Sequence, residues 1–168
     1  MQKTYQRIAE GIKKLKDEIK PNDIVIPIGL DGAILYHLLV NCYDKTDTEY
    51  TDFLKNTCNL SSKTETYSEK FENLLLENRE KTIYALDMRT DTGRLGEKLR
   101  GLAGDSSLRY AVLFDSNGHA NWCAFNEAFE ERIIWLSKKD YENLNVANIT
   151  HKHLEKIPTV KEIKKYLA

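Results

Sequence analysis

Thr82-Ile83-Tyr84-Ala85-Leu86-Asp87-Met88-Arg89-Thr90-Asp91-Thr92-Gly93-Arg94 is the stretch whose reading decides the fold. Its apolar half, Ile83 to Asp87, has the β-branched and aromatic content of a strand and ends on a carboxylate. A Thr/Asp/Gly turn follows. A helical pattern then begins at Arg94, with Leu95, Leu99 and Leu102 on one side of a helix running to Ala103. Strand, tight turn and helix start in that order make a phosphate site, because small residues let backbone N–H groups converge and the helix start adds partial positive charge. Asp87 then stands at the carboxyl end of a strand, where open α/β sheets bind their ligands. The plain alternative is an ordinary strand-to-helix connection in which Asp91 or Thr92 caps the helix. An Asp-Thr-Gly tripeptide also occurs in aspartic proteases, but there apolar residues precede it; here Arg89 and Thr90 do, and Arg94 follows, so that reading is set aside.

Outward from this segment, strands and helices alternate. Tyr5, Ile8, Ile12, Leu15 and Ile19 recur at helical spacing, and Pro21-Asn22 stops that helix. Ile24 to Ile28 reads as a buried strand, Gly29-Leu30-Asp31-Gly32 as a turn, and Ala33 to Val40 as a helix. Asp44 to Lys70 is polar with no firm period, a loop holding a short strand at Tyr50 to Leu54. Phe71 to Leu76 is a short helix or an edge segment. Tyr110 to Asp115 is a strand ended by the turn Ser116-Asn117-Gly118, Ile133 to Leu136 a last short strand, and Val160 to Leu167 a terminal helix. The expected architecture is one α/β domain over residues 1–168. It has a mostly parallel sheet of about five strands flanked by helices, and a small C-terminal hood built after Gly118.

At 168 residues the chain is long enough for one substantial core. Its net charge of −1 with 30% charged residues leaves no concentrated basic face for nucleic acid. No apolar run has the length of a membrane span, and the amphipathic start does not read as a secretory signal. Cys42, Cys58 and Cys123 are odd in number and far apart, which suits reduced thiols and a cytoplasmic setting. Cys58 needs a neighbouring base to count as a nucleophile, which sequence does not supply. On a strand, His151 and His153 would share a face, but no Cys or carboxylate stands at zinc-ligand spacing, so they read as solvated.

The central segment resembles the signature of the type I phosphoribosyltransferases, closest to the hypoxanthine/guanine/xanthine branch, in which an apolar strand runs into two acidic residues and then Asp-Thr-Gly. The resemblance extends at lower specificity from Asp23 to Leu136. It implies that Asp87 orients the ribose hydroxyls of phosphoribosyl pyrophosphate, directly or through Mg²⁺. It also implies that Thr90, Asp91, Thr92, Gly93, Arg94 and Leu95 wrap the 5′-phosphate, with Asp91 as general base toward the purine. Leu30, Asp31 and Gly32 fall where the family has its pyrophosphate loop. Tyr50 to Lys55 is similar to the strand leading into the closing catalytic loop. Trp122 or Trp135, in segments resembling the hood, would stack on the base. Three positions depart from the pattern. Met88 replaces the second acid, and Asp31 stands where a basic residue is common. Thr57-Cys58-Asn59 replaces a Ser-Tyr pair, which leaves Tyr67 as the candidate aromatic.

The implied activity is pentosyl transfer from phosphoribosyl pyrophosphate to a nitrogenous base, a 6-oxopurine first, with Mg²⁺ as cofactor and a homodimer left open. The departures favour a second class: a non-catalytic module on the same fold that binds a ribose phosphate, a nucleotide or a partner protein. An unrelated phosphate binder or hydrolase is the third.

Overall fold

A computed structural model describes residues 2–20, 22–42, 66–90, 97, 101, 108–143 and 149–168, the side chains of 66–71 aside. In chain order the elements are α1 (Gln2–Glu18), β1 (Ile24–Pro27), α2 (Gly29–Val40), α3 (Thr66–Glu77), β2 (Ile83–Arg89), β3 (Leu108–Phe114), β4 (Trp122–Phe125), α4 (Lys138–Glu142), α5 (His151–Glu155) and α6 (Pro158–Lys164). The sheet runs β1-β2-β3-β4 and every neighbouring pair is parallel. The parallel α/β architecture expected from the alternating pattern is therefore present, with four strands among the described residues rather than about five. Ile133 to Leu136, expected as a strand, is irregular, whereas Trp122–Phe125, expected in the hood, is the edge strand β4. The strand read at Tyr50 to Leu54 lies outside the described residues. Of the helix read over Arg94 to Ala103, Glu97 and Gly101 are described, and both are helical.

Both faces of the sheet are apolar, as continuous runs such as Ile24–Pro27 require. Alternate residues Val25, Tyr84, Leu86, Met88, Ala111 and Leu113 face the core formed with α1, α2, α5 and α6. Ile24, Ile26, Ile83, Ala85, Tyr110 and Val112 form the opposite face with Leu75 of α3. The apolar stripe of α1 (Ile8, Ile12, Leu15) is buried, in accord with its helical period. α2 is different. Every residue from Gly32 to Val40 is buried, so past its first turn it is a central helix with no solvent face.

Gly32 sets how closely α2 lies on the sheet. A Cβ there would stand 2.4 Å from the Leu86 carbonyl oxygen and 3.1 Å from the carbonyl carbon of Pro27, both backbone atoms. The chain enters the helix through Gly29, at φ +62°, a conformation that costs glycine little and other residues more. The Gly29–Gly32 stretch expected as a turn is thus the first turn of α2, and only Gly29 departs from right-handed geometry.

β3 and β4 are joined by residues 115–121 alone, short for a parallel crossover. Asp115 makes this possible. Its buried carboxylate accepts from the backbone N–H of Asn117 (3.1 Å) and Ala120 (2.8 Å), and its own N–H donates to Phe125 (3.0 Å). Burial pushes the Asp115 carboxyl up, but backbone N–H groups of Ala120, Asn117 and His119 outweigh it and hold it below the usual range. Asn121 completes the return, bonding Tyr110 through both its backbone N–H and its side-chain oxygen at 2.8 Å. No helix among the described residues is long and apolar enough to cross a membrane.

Gly32→Ala is expected to cost about 3 kcal/mol, because backbone rather than a flexible side chain must move. Urea unfolding of the purified variant measures this, and a loss below 1 kcal/mol would show that α2 can shift freely.

Candidate functional site

The carboxyl ends of β1 and β2, the start of α2 and the irregular segment 126–136 meet at one edge of the sheet. Segment 126–136 is tied down at several points. Arg7 pairs with Glu127, Thr4 donates to Glu131, and Arg89 donates to the Phe129 carbonyl at 2.7 Å. The Phe129 ring stacks on Phe114 at 4.5 Å. Trp135 closes the strap: its indole N–H donates to Asp31 Oδ1 at 2.6 Å, and the residue is 8% exposed.

Two clefts open beside this bond. One, of about 590 Å³, is walled by Leu30, Ile134, Trp135 and Tyr141, with Arg132 and Lys138 on its rim. The other, of about 200 Å³, adds Met88, Arg89 and Phe129. Asp31, Arg132, Ile133 and Trp135 belong to both. An apolar wall with a few convergent charges is the usual make-up of a small-molecule site. Ile134 and Tyr141, 71% and 56% exposed, are large apolar side chains left open along the wider cleft.

Asp87 projects to the other face of β2, two residues before its end. One oxygen accepts from the Met88 N–H at 2.8 Å and the other from the Tyr110 hydroxyl at 3.5 Å. Burial pushes its carboxyl up to about 7; the Met88 N–H works against the rise and the negative charge of Asp31 adds to it. A carboxyl pushed up to about neutrality has a pKa suited to proton transfer, although Asp87 lines neither cleft. It suits Mg²⁺ less well, since that ion takes ionised carboxylate oxygens and usually only one or two of them beside substrate phosphates. Exposed Asp31 fits that demand better than inward-turned Asp87. Among the described residues no three His, Cys, Asp or Glu side chains converge as a metal cage.

The remaining expected site residues divide. Leu30, Asp31 and Gly32 are at the sheet edge but helical, and the Gly32 N–H is already donated to Ile28 at 3.0 Å. The helix start carries no side-chain cap, its N-cap being Ile28. First-turn N–H groups with a half positive charge can receive an anion. Asp31 opposes one with a full negative charge. Thr90 is buried, and its N–H donates to the Phe114 carbonyl at 3.3 Å, so it extends the strand ladder instead of facing a phosphate. Asp91, Thr92, Gly93, Arg94 and Leu95 lie outside the described residues, as do Thr57, Cys58 and Asn59; the side chain of Tyr67 does too. Met88, where the resemblance expects a second acid, is 3% exposed and packed in the α2-side core. Trp122 is the first residue of β4, packed against the core, and lines neither cleft; Trp135 lines both. The Asp31–Trp135 bond was not visible in the sequence.

Fold and site define a parallel α/β protein with a cleft at the carboxyl edge of its sheet. Compared with family models, curated proteins and solved structures, the chain matches none.

The raised Asp87 pKa has a stability consequence. Because the folded value, about 7, exceeds the ordinary 3.8, this group's favourable contribution is complete below about pH 4 and is lost as pH rises through 7. Asp87→Asn removes the titration. The variant should therefore gain urea stability over the native chain at pH 8, with the gap narrowing toward pH 5; a gap independent of pH would contradict the buried, neutralised carboxyl.

Proposed function

We propose that this chain transfers a phosphoribosyl group between pyrophosphate and a nitrogenous base, a 6-oxopurine first. The observation that carries the reading is that Met88 and Arg89, which follow Asp87 in the signature, line a cleft at the carboxyl edge of adjacent parallel strands β1 and β2. In this reading Thr92, Gly93, Arg94 and Leu95 hold the 5′-phosphate through their backbone. Asp87 orients the ribose and Asp91 takes the proton of the base. Trp135 offers an apolar wall to the flat ring. Mg²⁺ would offset the charge of Asp31 as pyrophosphate arrives, and most of the rate would come from positioning and charge stabilisation.

A second reading, binding of a ribose phosphate or nucleotide without turnover, is favoured by one specific arrangement. Asp31 is fixed by Trp135 where a pyrophosphate would have to sit, with Met88 buried beside it. Like charges in a partly dry cleft cost free energy unless a cation intervenes.

Calorimetric titration of phosphoribosyl pyrophosphate with Mg²⁺, followed by turnover assays with guanine, hypoxanthine and xanthine, separates these readings. The transfer reading expects micromolar binding, about −8 kcal/mol, together with turnover that Asp87→Asn lowers at least tenfold. Binding without turnover selects the second. Gly93→Val should abolish binding while circular dichroism is unchanged; undiminished affinity in that variant, or no binding by the native chain, would remove the phosphoribosyl ligand from consideration.

A further inference from the structure

Helices α5 and α6 close over α2, α6 also packing on α1, with Leu154, Ile157, Val160 and Ile163 buried and a polar contact to α2 among the described residues. His37 of α2 is 1% exposed, and its Nδ1 lies 2.7 Å from Nδ1 of His151, the first residue of α5. Two ring nitrogens this close need a single proton between them, one donating and the other accepting.

Asn41 decides which. Its side-chain nitrogen donates to the His37 carbonyl at 2.6 Å and approaches His37 Nε2 at 3.4 Å. An amide NH₂ only donates, so Nε2 of His37 is the lone-pair nitrogen and its proton sits on Nδ1. His37 therefore donates to His151 Nδ1. The His151 proton is left on Nε2, a buried atom with no hydrogen-bond partner among the described residues. In this tautomer both rings are neutral and their facing positions are filled. A further proton on His151 Nδ1 would meet the His37 N–H, and one on His37 Nε2 would meet the Asn41 amide.

The surroundings also resist a second charge. Lys164 of α6 acts on both rings, and Glu155 of α5, 4.0 Å from Lys164, offsets it in part at His151. The Tyr36 ring stacks on His151 at 6.0 Å. Burial first, then Lys164 and His151, bring His37 down to about 3; burial and Lys164 lower His151 against the pull of Glu155.

We propose that α5 and α6 form a latch on α2 that acid releases, with the neutral His37–His151 hydrogen bond as its catch. Both helices contribute no strand, so they can leave without breaking the sheet. Released rings return to ordinary behaviour near 6.5. The folded values lie below that, so docking is complete above pH 6.5 and weakens as pH falls toward the docked values. At pH 5 His37 alone favours release by about 30-fold. Asp87 has the opposite sign over the same range, so the sheet does not follow the latch.

Hydrogen exchange of the whole chain at pH 7.5, 6 and 5, corrected for intrinsic rates, tests this. The expected result is a loss of protection in α5 and α6 of at least tenfold by pH 5, with β2 and β3 holding theirs. Replacing both histidines by leucine (His37→Leu with His151→Leu) should abolish that pH dependence. His151→Gln, at a half-buried position, keeps an acceptor for His37 and should retain the His37 part of the pH dependence. Protection in α5 and α6 that ignores pH, that falls together with the sheet, or that keeps its full native pH dependence in both variants would overturn the latch.

Discussion

The approach of α2 to the backbone of β1 and β2 at Gly32 is the constraint from which the remaining architecture follows. A side chain there would meet a carbonyl oxygen 2.4 Å away, so the helix can lie this deep only where none exists. Depth is what allows α2 to be buried on all sides from Gly32 onward, with Ile34, Leu35, Leu38 and Leu39 fully inside. Each such side chain is worth about 1.5–3 kcal/mol on leaving water. The same approach fixes the end of β1, where the Ile28 N–H donates to Leu86 at 3.0 Å and the Gly32 N–H returns to Ile28 at 3.0 Å. The first turn of α2 is thereby held over the ends of two parallel strands, and Asp31 is carried to the cleft.

The candidate site sits where the charge of Asp31 acts on Asp87. Asp31 is exposed and fixed by an indole; Asp87 is turned inward, and its proton is retained partly because Asp31 is negative. Natural proteins concentrate such costs where chemistry is done, since a carboxyl held neutral at neutral pH lowers stability at alkaline pH without helping the fold. The strap of residues 126–136 supplies the facing wall. It is held by an ion pair, a hydroxyl donor, a backbone acceptor and aromatic stacking instead of by strand pairing. A wall built this way can carry Arg132 beside apolar Ile134, a mixture that a buried strand would not tolerate, and α4 continues it with Lys138 and Tyr141.

Much of the fold was legible in the sequence because the sheet announces itself locally. Ile24 to Ile28, Ile83 to Asp87 and Tyr110 to Asp115 are unbroken apolar runs bounded by turn residues, and each coincides with a strand to within two residues at either end. The Ser116-Asn117-Gly118 turn was equally plain, with Gly118 at φ +70°. Trp122–Phe125 escaped because four half-buried residues show neither alternation nor a continuous buried run. Ile133 to Leu136 misled for the converse reason: Ile133, Trp135 and Leu136 pack the strap against the core while Ile134 stays exposed, which leaves the same local trace as a strand. Gly29 and Gly32 suggested a loop, whereas one provides a left-handed entry and the other a close contact inside a helix. The two polar contacts of greatest consequence, Asp31 with Trp135 and His37 with His151, join residues 104 and 114 positions apart. No local pattern encodes them.

The central claim is that the carboxyl edge of this sheet is the ligand site, with Asp31 and Trp135 at its mouth. Amide and indole chemical-shift mapping of the whole chain, titrated with phosphoribosyl pyrophosphate and Mg²⁺, tests it most directly. The account predicts that the shifts gather at Leu30 to Gly32, Met88 to Thr90 and the Trp135 indole N–H. Shifts gathered instead around Trp122 on the far edge strand β4, or none at saturating ligand, would contradict it.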